Sequence, residues 1–136
     1  KIFIQNGNYK ENTIEIITHF SHNIATISIH SRYQGQAVKV AQGTAGTAPT
    51  YYTNGEALRL YQNGATMTVS ANGKTIKSME ITFADGHYYM APDSGEFSKE
   101  AAVRTWTGSA SKVKFTTTGT DKDHRAYVSK IKVTYE

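Results

Sequence analysis

A chain of 136 residues is sized for one domain spanning 1–136 and excludes a multidomain enzyme. With 38% hydrophobic and 19% charged residues it lies in the globular range, and the absence of cysteine excludes disulfides, thiolate metal sites and a cysteine nucleophile. The formal charge of +4 is scattered, without a dense Lys/Arg stripe, which argues against nucleic acid or an anionic polysaccharide as partner.

The apolar balance predicts an all-β fold. Leucine occurs only at 58 and 60, whereas 18 Thr, 11 Ile and 7 Val supply the branched side chains that suit a pleated surface. In chain order, residues 1–5 read as an edge strand or a tail. Ile14, Ile16, Thr18 and Phe20 alternate with Glu15 and His19, and Ile27 and Ile29 alternate with polar neighbours, predicting two amphipathic strands. A shorter one is expected over 36–41, followed by a loop over 43–52. Asn54-Gly55, Asn63-Gly64 and Asn72-Gly73 lie nine residues apart, and Asp85-Gly86 follows; such pairs tolerate the positive φ of a two-residue turn. They predict a three-strand meander over 57–83. Leu58 and Leu60 face one side of its first strand, Met67 and Val69 of its second, and Met79, Ile81 and Phe83 of its third. Ile76 is out of phase with that third set, so a bulge is expected near Lys77-Ser78.

Residues 85–106 lack strand alternation and read as a long loop, with a short helix over 98–104. Val113 and Phe115 mark a further strand, and Tyr127, Ile131, Val133 and Tyr135 the last. Eight to ten strands with turns every eight to twelve residues indicate an antiparallel β-sandwich of jelly-roll type, with a barrel as the alternative. No stretch approaches the length of an apolar membrane span, and the N-terminus lacks a signal-peptide core, so the chain reads as a mature or excised module.

Catalytic constellations are missing from the sequence. Gly108-Ser109-Ala110-Ser111 lacks the second glycine of a nucleophile elbow, and Gly73-Lys74-Thr75 is better explained as a hairpin than as the end of a phosphate loop. The histidines at 19, 22, 30, 87 and 124 read as exposed or hydrogen-bonded side chains. Nothing singles out Glu80 and Asp93 as a carboxylate pair. Asp121 and Asp123 offer oxygen ligands for calcium, but in a polar loop beside Gly119 they read more simply as a turn.

The aromatic residues carry more information. Tyr51, Tyr52, Tyr61, Tyr88, Tyr89 and Trp106 fall at loops or strand ends, where a ring can offer its face to the apolar C–H face of a sugar, while Arg59, Asp85, His87 and Asp93 can serve its hydroxyls. Of each adjacent tyrosine pair, one ring is expected to face in and the other out. Trp106 is also a core candidate, because a lone Trp in a small sandwich is usually buried. Arg59 and Tyr61 share the face opposite Leu58 and Leu60, as the floor of a concave platform or as an exposed pair.

The segments Ala48-Pro49-Thr50-Tyr51-Tyr52, Leu58-Arg59-Leu60-Tyr61, Gly73-Lys74-Thr75-Ile76, Thr105-Trp106-Thr107-Gly108-Ser109-Ala110 and Ile131-Lys132-Val133-Thr134-Tyr135 resemble a type of β-sandwich module common in secreted, multi-modular proteins of gut and rumen Bacteroidetes. The resemblance extends over residues 44–135 and is poor over residues 1–40, and the chain is also similar to carbohydrate-binding modules of jelly-roll form. The resemblance implies an extracellular, non-catalytic accessory domain that binds plant-type polysaccharide or oligosaccharide beside a glycoside hydrolase domain. A monomer with no membrane contact is expected. No cofactor is required; calcium is frequent in such modules, though no clear ligand motif for it is visible. The competing expectation is a structural or adhesive spacer whose aromatics are all buried.

Overall fold

The computed structural model describes residues 16–21, 24–29, 38–71 and 73–136. The expected strand over 1–5, together with His22, His30 and Asn72, lies outside them. Every regular element described is a strand: β1 (Ile16–Ser21), β2 (Ile24–Ile29), β3 (Val38–Ala41), β4 (Thr50–Tyr52), β5 (Ala57–Leu60), β6 (Thr66–Ser70), β7 (Ile76–Tyr88), β8 (Met90–Pro92), β9 (Glu96–Phe97), β10 (Val103–Ala110), β11 (Lys112–Thr117) and β12 (Ala126–Tyr135). Nine of these are four residues or longer, within the eight to ten expected, and β4, β8 and β9 are shorter additions. No helix forms over 98–104. That segment runs irregularly into β10 and is held by Arg104, whose Nε and Nη2 both donate to Ser98 O.

All pairings are antiparallel. One sheet has the order β1-β2-β12-β7-β10-β9, with β5 alongside the first residues of β12 and β4 outside β5; the other has the order β3-β6-β11-β8. From β5 to β8 each strand lies in the sheet opposite its predecessor, and β10, β11 and β12 alternate likewise. This is jelly-roll winding. It corrects the expected meander: Asn63-Gly64 does reverse the chain, with φ of 72° and 113°, and Gly73 has a φ of 84°, but each connection crosses between sheets instead of closing a hairpin. Of these three Asn-Gly pairs, the one at Asn54-Gly55 does close a hairpin, joining β4 to β5 through the pair Tyr52 and Ala57.

Strand alternation places the core between the sheets. Val38 and Val40 in β3, Met67 and Val69 in β6, and Val113 and Phe115 in β11 point inward, while the Lys39, Thr68 and Lys114 of the same strands point out. They meet Leu58, Leu60, Ile81 and Ile131 of the first sheet in one apolar cluster. Each such side chain contributes about 1.5 to 3 kcal/mol relative to exposure. Ile76 and Met79 are both buried because β7 shifts register against β12 between them, which is the bulge expected at Lys77-Ser78.

Trp106 belongs to this core and is fully buried, which removes it from the proposed stacking residues. Its Nε1 donates to Ser94 O at 2.7 Å, so the ring's one polar atom is satisfied inside. Gly95 and Gly108 lie against the indole, where a Cβ would come within 2.5 and 2.7 Å of the ring.

Candidate functional site

The opposite, outward face of the first sheet carries a second aromatic cluster. Leu58 and Leu60 point into the core, so Arg59 between them must point out. Thr50 of β4 and Tyr127 of β12 flank Arg59 in the sheet register, and Tyr52, two residues beyond Thr50, lies on the same face. Tyr51, paired with Leu58, takes the other face, as expected for adjacent residues of a strand.

Arg59 is the hub. Its guanidinium carbon lies 4.5 Å from the ring centre of Tyr52, 5.1 Å from that of Tyr127 and 5.8 Å from that of Tyr61. Arg59 Nη1 donates to Tyr61 OH at 3.3 Å, and Thr50 Oγ1 lies 3.3 Å from the same hydroxyl. Arg125 stands over Tyr61 at 4.5 Å and donates from Nε to Gln62 Oε1 at 2.7 Å. Tyr127 is only 5% exposed, yet it lies outside the core cluster: what covers it is this outer group.

Asp85 and His87 reach the site through an irregularity of β7. Between the pairs Val128 with Phe83 and Ala126 with Tyr88, β12 contributes one residue and β7 contributes four, residues 84–87. Asp85 and Gly86 hold φ of 54° and 71° within this excursion, so Asp85-Gly86 forms a bulge inside a strand and not the turn expected of it. The His87 ring stacks on Tyr127 at 4.1 Å and 12°, His87 Nδ1 lies 2.7 Å from Asp85 O, and Tyr52 OH donates to Asp85 Oδ2. Gly55 of the β4–β5 turn abuts both sides of the arrangement; a Cβ there would come 2.9 Å from the Tyr52 ring and 2.8 Å from Ala84.

Charge within the cluster is unbalanced. Among the described residues the one ion pair is His124 with Asp121, so neither Arg59 nor Arg125 has a carboxylate partner there. Burial disfavours the charge on Arg59, but the hydrogen bond to Tyr61 and the surrounding tyrosines outweigh it and raise its pKa. Partial burial raises the Tyr61 hydroxyl; hydrogen bonds from Thr50 and Arg59 and the charges of Arg59 and Arg125 overcome this and leave it below the ordinary tyrosine value. Tyr52 moves the other way, chiefly through its hydrogen bond to Asp85. The site can thus offer half-buried ring faces, cationic donors and one occupied carboxylate within a small area.

Of the residues expected at a site, Tyr52, Arg59, Tyr61, Asp85 and His87 come together here. Tyr88 and Tyr89 form a neighbouring group, with rings 4.9 Å apart at 40° and Tyr89 edge-on to His124 at 4.6 Å. Asp93 follows β8 in the other sheet, where its Oδ1 accepts from Lys114 N at 3.1 Å; Glu80 lies on β7 of the first sheet. Tyr127 and Arg125 are additions that alternation alone did not single out. Tyr52 and Tyr127 are inclined at 47°, so among the described residues the face is a tilted pair with an arginine between and not a flat platform. Asp121 Oδ1 accepts from Asp123 N at 3.0 Å and lies 2.7 Å from His124 Nδ1, the turn geometry expected of this loop. Among the described residues no three His, Asp or Glu side chains converge as metal ligands would. No protein family, curated protein or solved structure matches this chain.

Proposed function

We propose that this domain is a non-catalytic carbohydrate-binding module, recognising a plant-type polysaccharide through the outward face around Arg59. The reading is carried by one observation: Tyr52 and Tyr61 present half-buried rings on the same sheet face as Arg59, Asp85 and His87. A pyranose has apolar C–H faces that stack on such rings, and hydroxyls that need the donors and acceptors beside them. Extracellular location and a neighbouring glycoside hydrolase domain belong to the same proposal, and rest on the resemblance of the Leu58-Arg59-Leu60-Tyr61 and Thr105-Trp106-Thr107-Gly108 segments to modules of that kind.

Affinity electrophoresis on a panel of plant polysaccharides, with and without calcium, tests it. Retardation is expected in at least one gel, and Tyr52→Ala should weaken binding by about 1 to 2 kcal/mol while leaving the fold intact. No retardation in any gel overturns the reading. The burial of Trp106 and Tyr127 favours a second one, a structural or adhesive spacer, for which no saccharide would perturb any tyrosine signal.

A further inference from the structure

Arg59 is incompletely satisfied. Nη1 donates to Tyr61 OH, and among the described residues Nη2 has no acceptor and the enclosed Nε has no hydrogen-bond partner. The faces of Tyr52 and Tyr127 offset part of that cost, because a cation over a ring is attracted by its quadrupole. They supply no counter-charge. The carboxylate of the cluster, Asp85, accepts from the Tyr52 hydroxyl, and Arg125, on the same Tyr61 ring, donates its Nε to the neutral Gln62. Two guanidinium groups therefore share one tyrosine with no ion pair to either among the described residues.

We propose that the ligand of this face is an anionic polysaccharide, whose carboxylate or sulfate group is received by the Nη end of Arg59, with Arg125 adding to the local positive charge. The inference rests on the carbohydrate-binding reading above and narrows it. A sugar hydroxyl would satisfy one donor. A planar carboxylate or a sulfate ester accepts from two guanidinium nitrogens at once and supplies the missing charge, so charge complementarity favours an acidic sugar over a neutral one. Tyr52 and Tyr61, beside the guanidinium, are placed to hold the ring that bears the group.

The test measures binding of the intact domain to polygalacturonate, its fully methyl-esterified form, a sulfated galactan and a neutral galactan. Binding to polygalacturonate or to the sulfated galactan is expected at least roughly tenfold tighter than to the esterified and neutral polymers, and the comparison between the two acidic polymers assigns carboxylate or sulfate. Arg59→Gln should lose about tenfold or more on the preferred polymer, and Arg59→Lys, which keeps the charge but not the fork, should lose part of that. Lys114→Gln removes the same charge from the outward face of the other sheet and should change little; an equal loss there would reduce the effect to net charge and overturn the inference. Equal binding of neutral and acidic polymers, or wild-type affinity in Arg59→Gln, overturns it while leaving sugar binding in place. Failure of every polymer to bind overturns both. The comparison of polygalacturonate with its methyl ester needs no variant, so the inference remains testable if Arg59→Gln does not fold.

Discussion

Thr117, the last residue of β11, is 6% exposed and ties that strand to the connection between β5 and β6 through one hydroxyl. Its Oγ1 accepts from Gly64 N at 2.9 Å and Ala65 N at 3.0 Å, and donates to Tyr61 O at 2.9 Å; Thr117 N donates in return to Ala65 O at 2.9 Å. The crossing from β5 to β6 is fixed in this way directly behind Tyr61. Thr117→Val keeps the volume, adds apolar surface and retains β-branching, so hydrophobicity and strand propensity both predict a neutral or stabilising change. Hydrogen bonding predicts the reverse. Two N–H groups and a carbonyl lose their partner at about 1 to 3 kcal/mol each when buried, but Gly64 and Tyr61 retain some access to water, so the expected loss is about 2 to 4 kcal/mol. Thr117→Ser keeps the hydroxyl and forgoes one methyl, about 1 kcal/mol. Urea unfolding should rank wild type above Ser and Ser above Val, with unchanged m values and a Tm roughly 10 °C lower for Val. If Val proves as stable as Ser, the hydroxyl does not hold the crossing and the reasoning fails.

The remaining expectations concern the core tryptophan, the bulge and the tyrosines. Gly108→Ala would push a Cβ to 2.7 Å from the indole of Trp106 and should lower stability by about 1 to 3 kcal/mol in urea; wild-type stability would mean the ring has room. Trp106 fluorescence in the wild type should resist acrylamide and ignore every saccharide. At Gly86 the φ is +71° and a Cβ would meet nothing, so Gly86→Ala should cost only about 1 to 2 kcal/mol, and the affinity gel should show weakened retardation from a displaced His87 and Asp85. An alkaline titration followed by tyrosine absorbance should lose an early step in Tyr61→Phe and a late one in Tyr52→Phe. The raised Tyr52 pKa contributes stability that is complete below the ordinary tyrosine value and is lost as pH climbs through the raised one, whereas Tyr61 contributes in the opposite sense. Tyr52→Phe should therefore flatten the alkaline fall in stability, and an unchanged slope would contradict the assignment.

Alternation of period two was enough to find β3, β6 and β11 and to orient Arg59 and Tyr61, because each of those strands has one apolar and one polar face. The phase slip at Ile76 likewise exposed a bulge, since a one-residue shift is the way both Ile76 and Met79 can be buried. Asn-Gly pairs identified where the chain reverses but not which sheet receives it: a strand in either sheet buries one face, so the pattern is the same for a hairpin and a crossing. In β10 the polarity pattern misleads. Val103 is 50% exposed while Arg104 is buried, because the Arg104 guanidinium also donates from Nη1 to Tyr88 O and Met90 O and lies 3.9 Å from the Phe97 ring centre. A side chain that satisfies carbonyls of the segments on either side can occupy the inner face; local hydropathy carries no trace of those partners. Strands β8 and β9, of three and two residues, are too short to alternate, which is why 85–106 reads as a loop.

The candidate site illustrates the same division. Arg59 and Tyr61 are placed by their own strand, but Tyr127 lies in the run Ala126-Tyr127-Val128, all three buried, where no polar neighbour marks an outer face. Only long-range pairing sets Tyr127 opposite Arg59. The bulge then determines the electrostatics. Four residues of β7 against one of β12 bring His87 over Tyr127 and Asp85 to the Tyr52 hydroxyl, which donates to its carboxylate; a continuous pairing would accommodate neither the excursion nor the contact. Arg59 remains cationic, enclosed by rings and without an internal counter-ion among the described residues. An interior ion pair would neutralise the group and need no ligand, whereas this arrangement stabilises the charge through ring faces and leaves its outer donors open. Among the described residues the guanidinium is unpaired because of where the strand irregularity falls, so under the proposed carbohydrate-binding function Asp85-Gly86 would matter as much as the residues that would touch the sugar.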